Sequence, residues 1–469
     1  MDQEYDVVVL GTGLTECILS GILSMEGKKV LHLDRNSYYG GECASLNLSQ
    51  LFDRFRNGVK PPVELGRDRD YALDLVPKFM MASSDLVDIL VNTDVTRYLE
   101  FVQVEGSFVF KKGSGICKVP STPLEAASSS LMGFFEKRRA KSFFEYVQEV
   151  RADVPSTWNK HPLGLMPFGD LCKQVFGLDD GTIDFIGHAL ALHLNDAFIK
   201  EPALPTILRI QQYMHSMLRY GKSPYVYPLY GLGELPQGFA RLSAIYGGTY
   251  MLNCPFDGIL YDEQSEGKVC GVQFEYEGQK MQVRCKAVFA DPSYLPECVR
   301  LTHQVVRCIV LLSDAIPGTN GVDSCQIIIP QNQVGRHYDL YIACLSSSHS
   351  ICPPGGIRVA FISTIMETED PDRDIAPALN LLGSTKILQK FVWVQPLCEP
   401  DDEPTLAQRG LFISRSPDAT SHFATLTDDV KRLYRAYSSK DWHPTRRPTS
   451  EEEQAALQAS YGSITSTTF

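Results

Sequence analysis

The sequence predicts an α/β fold, in which a large domain with a Rossmann-type β-α-β unit and a mixed or antiparallel sheet carries a smaller all-helical insert. Three observations predict it. Residues 7–10 form a short apolar run, glycines follow at once, and apolar residues then recur at helical spacing up to Met25. From residue 120 to 220 the apolar spacing is helical. After about residue 269 most of the chain has the pattern of strands.

The first strand-turn-helix carries most of a dinucleotide-binding fingerprint. Gly11 and Gly13 follow the apolar strand, and a second strand over residues 29–34 ends on Asp34, close to the required spacing. The fingerprint has a third glycine that lets the helix pack closely beside a pyrophosphate. In this chain Glu16 replaces that glycine. A glutamate adds bulk and negative charge where two phosphates would lie, although its charge suits a helix N-terminus. The sequence therefore predicts a nucleotide-binding architecture whose site is closed and holds no cofactor.

Composition limits the classes of protein. The 469 residues are 44% hydrophobic and 21% charged, as in soluble globular proteins of two or three domains. The net charge of −12 argues against general nucleic-acid binding. Thirteen cysteines without a C-x-x-C pair, and no signal peptide, favour reduced thiols in the cytoplasm over disulfides or a zinc site. No apolar run approaches the ~20 residues that cross a bilayer.

The chain order predicts the domain boundaries. We expect a discontinuous large domain over 1–119 and 221–437, a helical domain over 120–220, and a flexible C-terminal tail over 438–469. Within the large domain, Val269 to Tyr276 and Met281 to Ala290 read as a hairpin, and Ile375 to Leu382 as a helix with Pro377 in its first turn. His188 and His193 are five residues apart, off the spacing of a helical zinc pair, so no metal site is predicted.

Three long motifs carry a resemblance to a known family. They are D-V-V-V-L-G-T-G-L-T-E-C-I-L-S-G over residues 6–21, D-V-T-R-Y over 94–98, and nearly all of 222–252. On these the chain resembles the Rab GDP-dissociation inhibitors from about Tyr5 to Lys431. The resemblance implies the fold of FAD monooxygenases and oxidases without FAD. It also implies binding of geranylgeranylated Rab GTPases in the GDP state, and their removal from membranes.

The resemblance further implies where the binding residues lie. The Rab-binding platform falls on Tyr39, Arg69, Glu234, Arg241, Thr249 and Met251. A membrane-sensing loop falls on Arg219, Ser223 and Tyr225, and a channel for the Rab C-terminus falls near Val91 and Tyr227. The chain departs from the family at Tyr71, Cys254 and Pro417, where tryptophan, lysine and tyrosine are common, and these departures leave the choice of Rab open.

A carrier of lipid-anchored proteins needs an apolar site for the lipid. Burial of one CH₂ is worth roughly 0.8 kcal/mol, so each geranylgeranyl chain represents on the order of 10 kcal/mol. The helical insert is rich in Phe, Leu and Met and is not committed to a sheet core, so we expect the prenyl pocket between its helices, near Phe144 and Val147. The alternative is that these apolar stripes are ordinary core.

Three functions compete at this point. The first is a non-enzymatic carrier and inhibitor, a monomer that binds one Rab and contacts membranes transiently. The second is a flavin-dependent oxidoreductase of the same architecture, against which Glu16 weighs. The third is a Rab escort protein, which presents Rab to a prenyltransferase. Escort proteins share the motifs but are generally longer, with insertions that this chain lacks.

Overall fold

The secondary structure is described for residues 4–129, 131, 133–262, 264–265, 267–383 and 385–442 of a computed structural model. The strands are β1 (Val7–Leu10), β2 (Val30–Leu33), β3 (Ser45–Leu46), β4 (Leu73–Asp74), β5 (Met80–Met81), β6 (Phe101–Gln103), β7 (Gly106–Lys111), β8 (Gly115–Lys118), β9 (Tyr225–Pro228), β10 (Thr249–Met251), β11 (Phe256–Asp262), β12 (Lys268–Tyr276), β13 (Gln279–Arg284), β14 (Ala287–Ala290), β15 (Val299–Leu312), β16 (Cys325–Ile329), β17 (Leu340–Ser346), β18 (Arg358–Ile365), β19 (Ile387–Pro400) and β20 (Leu411–Ile413). The helices are α1 (Leu14–Met25), α2 (Leu48–Arg56), α3 (Asp85–Asn92), α4 (Pro123–Ser128), α5 (Phe134–Glu149), α6 (Phe168–Asp170), α7 (Asp180–Phe185), α8 (Ala203–Tyr220), α9 (Glu234–Ile245), α10 (Gln331–Val334), α11 (Pro371–Leu381), α12 (Glu403–Gln408) and α13 (Ala424–Ser438).

A five-stranded parallel sheet, in the order β10-β2-β1-β14-β20, joins the two N-terminal strands of the large domain to three strands from its later part. Its short central strands β1, β2 and β14 are buried along their whole length, which explains their continuous apolar sequence. Helix α1 packs closely on α9 at Gly21. A Cβ atom added to this glycine would lie only 3.1 Å from Leu242 and 3.3 Å from Phe239. The predicted Rossmann-type β-α-β unit is confirmed.

A seven-stranded sheet, in the order β19-β15-β18-β17-β16-β7-β8, forms the second part of the large domain. Its neighbours are antiparallel except for β16 and β7, which run parallel. Helix α11 packs against this sheet, and Ile375 and Ala378 of that helix are fully buried. The predicted mixed or antiparallel sheet, and with it the α/β fold class, is confirmed.

The helices α4 to α8 lie between β8 and β9 in the chain, with π-helical turns over Leu171–Val175 and Ile186–Leu190. Helix α8 ends at Tyr220 and is capped by Gly221, whose φ of 83° is the left-handed conformation that glycine adopts most easily. The chain then enters β9, the middle strand of the three-stranded sheet β5-β9-β6. Among the described helices, none combines the length and apolar character needed to cross a bilayer.

Two predicted elements differ in the structure. The stretch from Met281 to Ala290 is not a single strand: the first part is β13, and the last four residues form β14, which joins the parallel sheet beside β1. Val283, Cys285 and Ala287 are buried on both sides of the break between β13 and β14. The apolar pattern therefore continues across the break and resembles a single strand. Helix α11 begins at Pro371 after an Asp370 cap, so Pro377 lies inside the helix rather than in its first turn.

The C-terminal tail falls almost entirely outside the described residues, which end at 442. Its first residue, Ser438, closes helix α13, and Trp442 packs against the core of the large domain. The boundary expected at 438 therefore precedes a short stretch that is in contact with the fold.

Candidate functional site

Glu16 closes the fingerprint at the N-terminus of α1. Its carboxyl folds back over the turn and lies so close to Gly13 that a Cβ atom added there would overlap Glu16 Oε2. The side chain is buried. Burial, together with the nearby Asp291, raises the pKa of Glu16 to about 8. The carboxyl is therefore largely protonated at neutral pH. The expected bulk is present, but the expected full negative charge is wrong, because a buried carboxyl beside a second acid retains its proton.

Asp34 ends β2, where dinucleotide-binding proteins use an acid to hold a ribose. Its Oδ2 accepts hydrogen bonds from the backbone N of Thr12 at 2.7 Å and from Thr12 Oγ1 at 2.6 Å. Its Oδ1 accepts from the backbone N of Asn36 at 2.7 Å and from Asn36 Nδ2 at 2.9 Å. The carboxylate is thus already occupied by the protein's own donors.

The space beside Glu16 is an acidic cavity of about 220 Å³. Glu42, Asp291 and Asp418 line it together with Glu16, and so do Arg415 and Lys78, which forms an ion pair with Asp418. Burial, followed by the charge of Asp291, raises the pKa of Glu42, and burial also raises the pKa of Asp291. Acids in this position repel a pyrophosphate when ionised. Together with the engaged Asp34, they do not fit a bound dinucleotide.

Buried Asp74 holds the glycine-rich loop that leads into α9. It accepts hydrogen bonds from the backbone N of Leu232 at 2.9 Å, from Ser45 Oγ and from the Tyr227 hydroxyl. Ser45 Oγ in turn accepts from the backbone N of Gly233 at 2.8 Å. Burial raises the pKa of Asp74 to about 6. Sequence reasoning missed this residue, although an acid inside the apolar run 71–76 is a usable signal.

Glu234 and Arg241 extend from α9, which this loop positions. Arg241 is exposed, and its guanidinium carbon lies 4.2 Å from the centre of the Tyr98 ring. Glu234 is half-buried at the start of the helix, and its Oε2 is buried without a hydrogen-bond partner among the described residues. Burial, followed by the charges of Glu100 and Asp74, raises the pKa of Glu234. Within the described residues neither side chain forms an internal ion pair.

The edge strand β10 brings further platform residues next to α9. Thr249 and Met251 alternate with Tyr250, whose ring stacks on His32 with centroids 4.2 Å apart. Tyr39 lies against the same tyrosine at 6.1 Å. Tyr39 therefore contacts edge strand β10 through Tyr250, the residue between Thr249 and Met251.

Arg69 lies on a different loop. This loop is held by a hydrogen bond from the backbone N–H of Ser49 to the Asp68 carboxylate. The Arg69 side chain is exposed. In the described part of the chain, no hydrogen bond or ion pair connects Arg69 with the other platform residues.

The residues expected in the membrane-sensing loop are divided between surface and interior. Arg219 is exposed at the end of α8 and donates from Nη1 to the carbonyl of Ala82 at 2.8 Å. Ser223 and Tyr225 are fully buried, and Ser223 Oγ donates to the carbonyl of Val104. Tyr225 begins β9 of the three-stranded sheet, and Ser223 lies two residues before this strand. Leu218, Tyr220 and Lys222 are exposed beside Arg219 near this turn.

The two channel residues are also separated. Val91 is 46% exposed on α3, whereas Tyr227 is fully buried with its hydroxyl on Asp74. The structure therefore does not place Tyr227 on a channel wall in this conformation, and its visible role is to support the loop before α9.

The residues expected near the prenyl pocket lie on α5. Val147 is fully buried, and Phe144 is half-buried with its ring 5.5 Å from that of Phe143. Helix α5 packs beside α8, where Gln211 Nε2 donates to the carbonyls of Val147 at 2.6 Å and Val150 at 2.7 Å. Both residues are packed against neighbouring helices.

A buried histidine links the insert to the seven-stranded sheet. Asp339 Oδ2 lies 2.7 Å from His188 Nδ1, and Asp196 Oδ1 lies 2.9 Å from its Nε2. Burial lowers the pKa of His188, but the two carboxylates outweigh burial and raise the pKa to about 10. With Asp184 nearby the group has the composition of a metal site. Both ring nitrogens already face carboxylates, however, so the group is better described as a protonated histidine paired with Asp339 and Asp196. Sequence reasoning missed this group because Asp339 is distant in the chain.

Comparisons with known proteins agree with this geometry. The family model of the GDP dissociation inhibitors matches residues 1–447. The probable secretory pathway GDP dissociation inhibitor 1 of Schizosaccharomyces pombe is 53% identical, over 97% of this chain and 100% of its own. The crystal structure of a Rab GDI from Plasmodium falciparum aligns with a TM-score of 0.87 and 42% identity, over 94% of this chain and 100% of that one.

A more distant likeness concerns the fold alone. Putrescine oxidase aligns with a TM-score of 0.52 at 13% identity, over 93% of this chain and 99% of its own. The oxidoreductase-like architecture expected from the sequence is therefore confirmed, and so is the family expected from the three motifs. The chain belongs to the GDP dissociation inhibitor family.

Proposed function

We propose that this protein is a Rab GDP-dissociation inhibitor. It binds geranylgeranylated Rab GTPases in the GDP state, slows the release of GDP, and removes the GTPases from membranes for return through the cytoplasm. It acts as a monomer that binds one Rab, touches membranes transiently, and is not an enzyme. The observation that carries the proposal is helix α9, where a buried carboxyl network positions Glu234 and Arg241 without pairing either of them internally.

Three further platform residues lie on or beside the strand next to this helix, whereas Arg69 lies on a separate loop. They are Thr249 and Met251 on β10, and Tyr39, which contacts this strand through Tyr250. Charged side chains on a rigid segment serve recognition more often than packing. A partner that meets both the helix and the sheet edge is held at two faces, which suits the body of a GTPase.

The lipid is held at a second place, between the helices of the insert. The apolar side chains of α5 are packed in this structure, in keeping with a pocket that is closed when no lipid is bound, since an open apolar groove promotes aggregation. Separate sites for the GTPase body and the lipid make binding bivalent, so docking of the body raises the local concentration of the lipid at its pocket.

The deciding experiment uses liposomes that carry prenylated Rab loaded with a fluorescent GDP analogue. Addition of the full chain should transfer Rab to the supernatant and slow the release of GDP, whereas Rab loaded with a GTP analogue should stay on the membrane. Retention of GDP-bound Rab on the liposomes at saturating protein would overturn the proposal. A reconstituted prenylation assay tests the escort-protein alternative, which requires support of lipid transfer.

A further inference from the structure

A second cavity, of about 140 Å³, lies between the helical insert and the large domain. The insert contributes Leu192 and two residues of α8, Arg209 and Gln212. The large domain contributes Ser84, before α3, and His422, before α13. None of its lining residues lies on α9, and it shares Asp428 with the acidic cavity beside Glu16.

Two buried side chains line this cavity without hydrogen-bond partners. His422 is 2% exposed, and among the described residues its ring nitrogens form no well-aligned hydrogen bond, although the backbone of Leu192 lies close to the ring. Ser84 is 8% exposed, and its Oγ is likewise unpartnered in the described part of the chain. Buried polar atoms nearly always have a hydrogen-bond partner, so each exception needs an explanation, such as a bound water or ion.

Arg209 supplies the positive charge. It is half-buried, lines the same cavity, and forms no hydrogen bond or ion pair within the described residues. Burial, reinforced by the charges of Lys78 and Arg209 and opposed by Asp418 and by the backbone of Leu192, lowers the pKa of His422 to about 4. The imidazole is therefore neutral at neutral pH and offers one N–H donor, while the guanidinium offers several.

The negative groups at this cavity are either paired or peripheral. Asp85 also lines it, but its Oδ2 lies 2.6 Å from Lys431 Nζ. Asp428 also lines it, with an exposed side chain, and the positive charge of Arg209 counters the effect of burial on the pKa of this carboxyl. Inside, the cationic arginine faces a neutral histidine and a serine hydroxyl, an arrangement that repels cations and provides donors to an anion.

We propose that this cavity binds a compact oxyanion of the size of acetate or phosphate. A water molecule takes up about 30 Å³ of liquid volume, so the cavity corresponds to about four or five waters or one such anion. Arg209 and Gln212 hold the anion from the insert, and His422 and Ser84 hold it from the large domain. The bound anion connects the two parts of the protein across their junction.

The first test is thermal unfolding of the full chain in sodium acetate, sodium phosphate and sodium chloride at matched ionic strength. A ligand of the folded state raises the melting temperature as its concentration increases. At least one oxyanion should do so beyond chloride. A response to acetate identifies a carboxylate, such as a chain terminus, and a response to phosphate identifies a phosphate.

The variant Arg209→Gln should remove this response. Arg138→Gln, an exposed arginine on α5 with the same change of charge, serves as the control and should keep the response of the parent. Equal responses in Arg209→Gln and the parent, or no oxyanion response in the parent, would overturn the proposal and leave a cavity filled by water alone.

A second measurement avoids any doubt about folding of the variant, because it uses the unmodified chain. The ring ¹⁵N signals of His422 should shift on titration with the oxyanion that raises the melting temperature, and should saturate. Chloride at the same ionic strength should leave them in place. Unchanged His422 signals during stabilisation would place the anion elsewhere and also overturn the proposal.

Discussion

The guanidinium carbon of Arg241 lies 4.2 Å from the centre of the Tyr98 ring. Tyr98 ends the short turn Val95–Tyr98, which packs tightly under α9: a Cβ added to Gly238 would lie 2.9 Å from Val95 Cγ1. A cation above an aromatic face is attracted by the ring, and this contact leaves the N–H groups of the arginine available. The contact therefore orients Arg241 before any partner arrives.

We expect Arg241→Ala and Glu234→Ala each to weaken binding of GDP-bound Rab at least tenfold, about 1.4 kcal/mol or more, because oriented charged side chains at the centre of an interface dominate its energy. The fold should persist. Calorimetric titration and thermal unfolding measure the two effects, and Arg373→Ala, an exposed arginine on α11, is the control. Unchanged affinity in both variants, or a large loss of thermal stability, would favour a structural role instead.

We expect Tyr98 to strengthen Rab binding by orienting Arg241 rather than by touching the Rab itself. Tyr98→Leu removes the aromatic face and should weaken Rab binding by about 0.5–1 kcal/mol, the usual size of an exposed cation–π contact. Tyr98→Phe retains the face and should bind as the parent does. In the Arg241→Ala background, Tyr98→Leu should have little further effect. An equal loss in both backgrounds, measured as a double-mutant cycle, would show that the ring acts independently of Arg241.

Glu16 should make the protein less stable as the pH rises. Its folded-state pKa of about 8 lies above the ordinary value, so its favourable contribution is complete below about pH 4.3 and is lost as the pH rises through 8. Glu16→Gln cannot ionise and should be more stable than the parent at pH 9, by denaturant unfolding, with a smaller difference at pH 5. A pH-independent difference would show that charge is not the cause.

The same residue should keep dinucleotides out. Calorimetry of the parent protein with FAD and with NAD should give no saturable heat, because Glu16 covers the turn and Asp34 is occupied by Thr12 and Asn36. Tight, stoichiometric binding of either dinucleotide would contradict this interpretation of the fingerprint. The absence of a flavin absorption band in the purified protein is the simpler companion test.

Local patterns were sufficient for the β-α-β unit, because strand, turn and helix are adjacent in the chain and each has its own periodicity. They were insufficient where burial is decided by distant partners. Ser223, Tyr225 and Tyr227 lie in a polar, aromatic stretch that resembles a loop, yet all three are buried. Tyr225 and Tyr227 belong to β9, which pairs with β5 and β6, and Ser223 donates to the carbonyl of Val104 just before this strand. The Met281–Ala290 error has the same origin, since only tertiary pairing separates β13 from β14.

His188 should stabilise the junction between insert and sheet. His188→Ala leaves Asp339 buried without its partner and should lower the free energy of unfolding by roughly 3–5 kcal/mol, the usual cost of breaking a buried ion pair. Since the folded-state pKa is raised to about 10, the histidine's contribution is complete below its ordinary pKa of about 6.5 and is lost as the pH rises through 10.

Urea unfolding of the parent and of His188→Ala at pH 6 and at pH 10 checks this. The difference between the two proteins should shrink at the higher pH. His215→Ala, an exposed histidine on α8, should match the parent at both pH values. A difference that stays constant with pH would mean that His188 acts through packing alone.

Phe144 offers the sharpest test of the lipid site. Val147 is fully buried, so Val147→Asp buries a carboxylate in the insert core and should unfold it, which would end extraction for a trivial reason. Phe144 is half-buried, so Phe144→Asp should fold while placing a charge among the helices that receive the lipid. It should abolish extraction of prenylated Rab from liposomes but spare weak binding of unprenylated Rab-GDP, because α9 is untouched. Phe135→Asp, an exposed phenylalanine on the same helix, is the matched control and should extract normally. If Phe144→Asp folds, by circular dichroism and thermal unfolding, and still extracts as the parent does, then α5 does not line the lipid site.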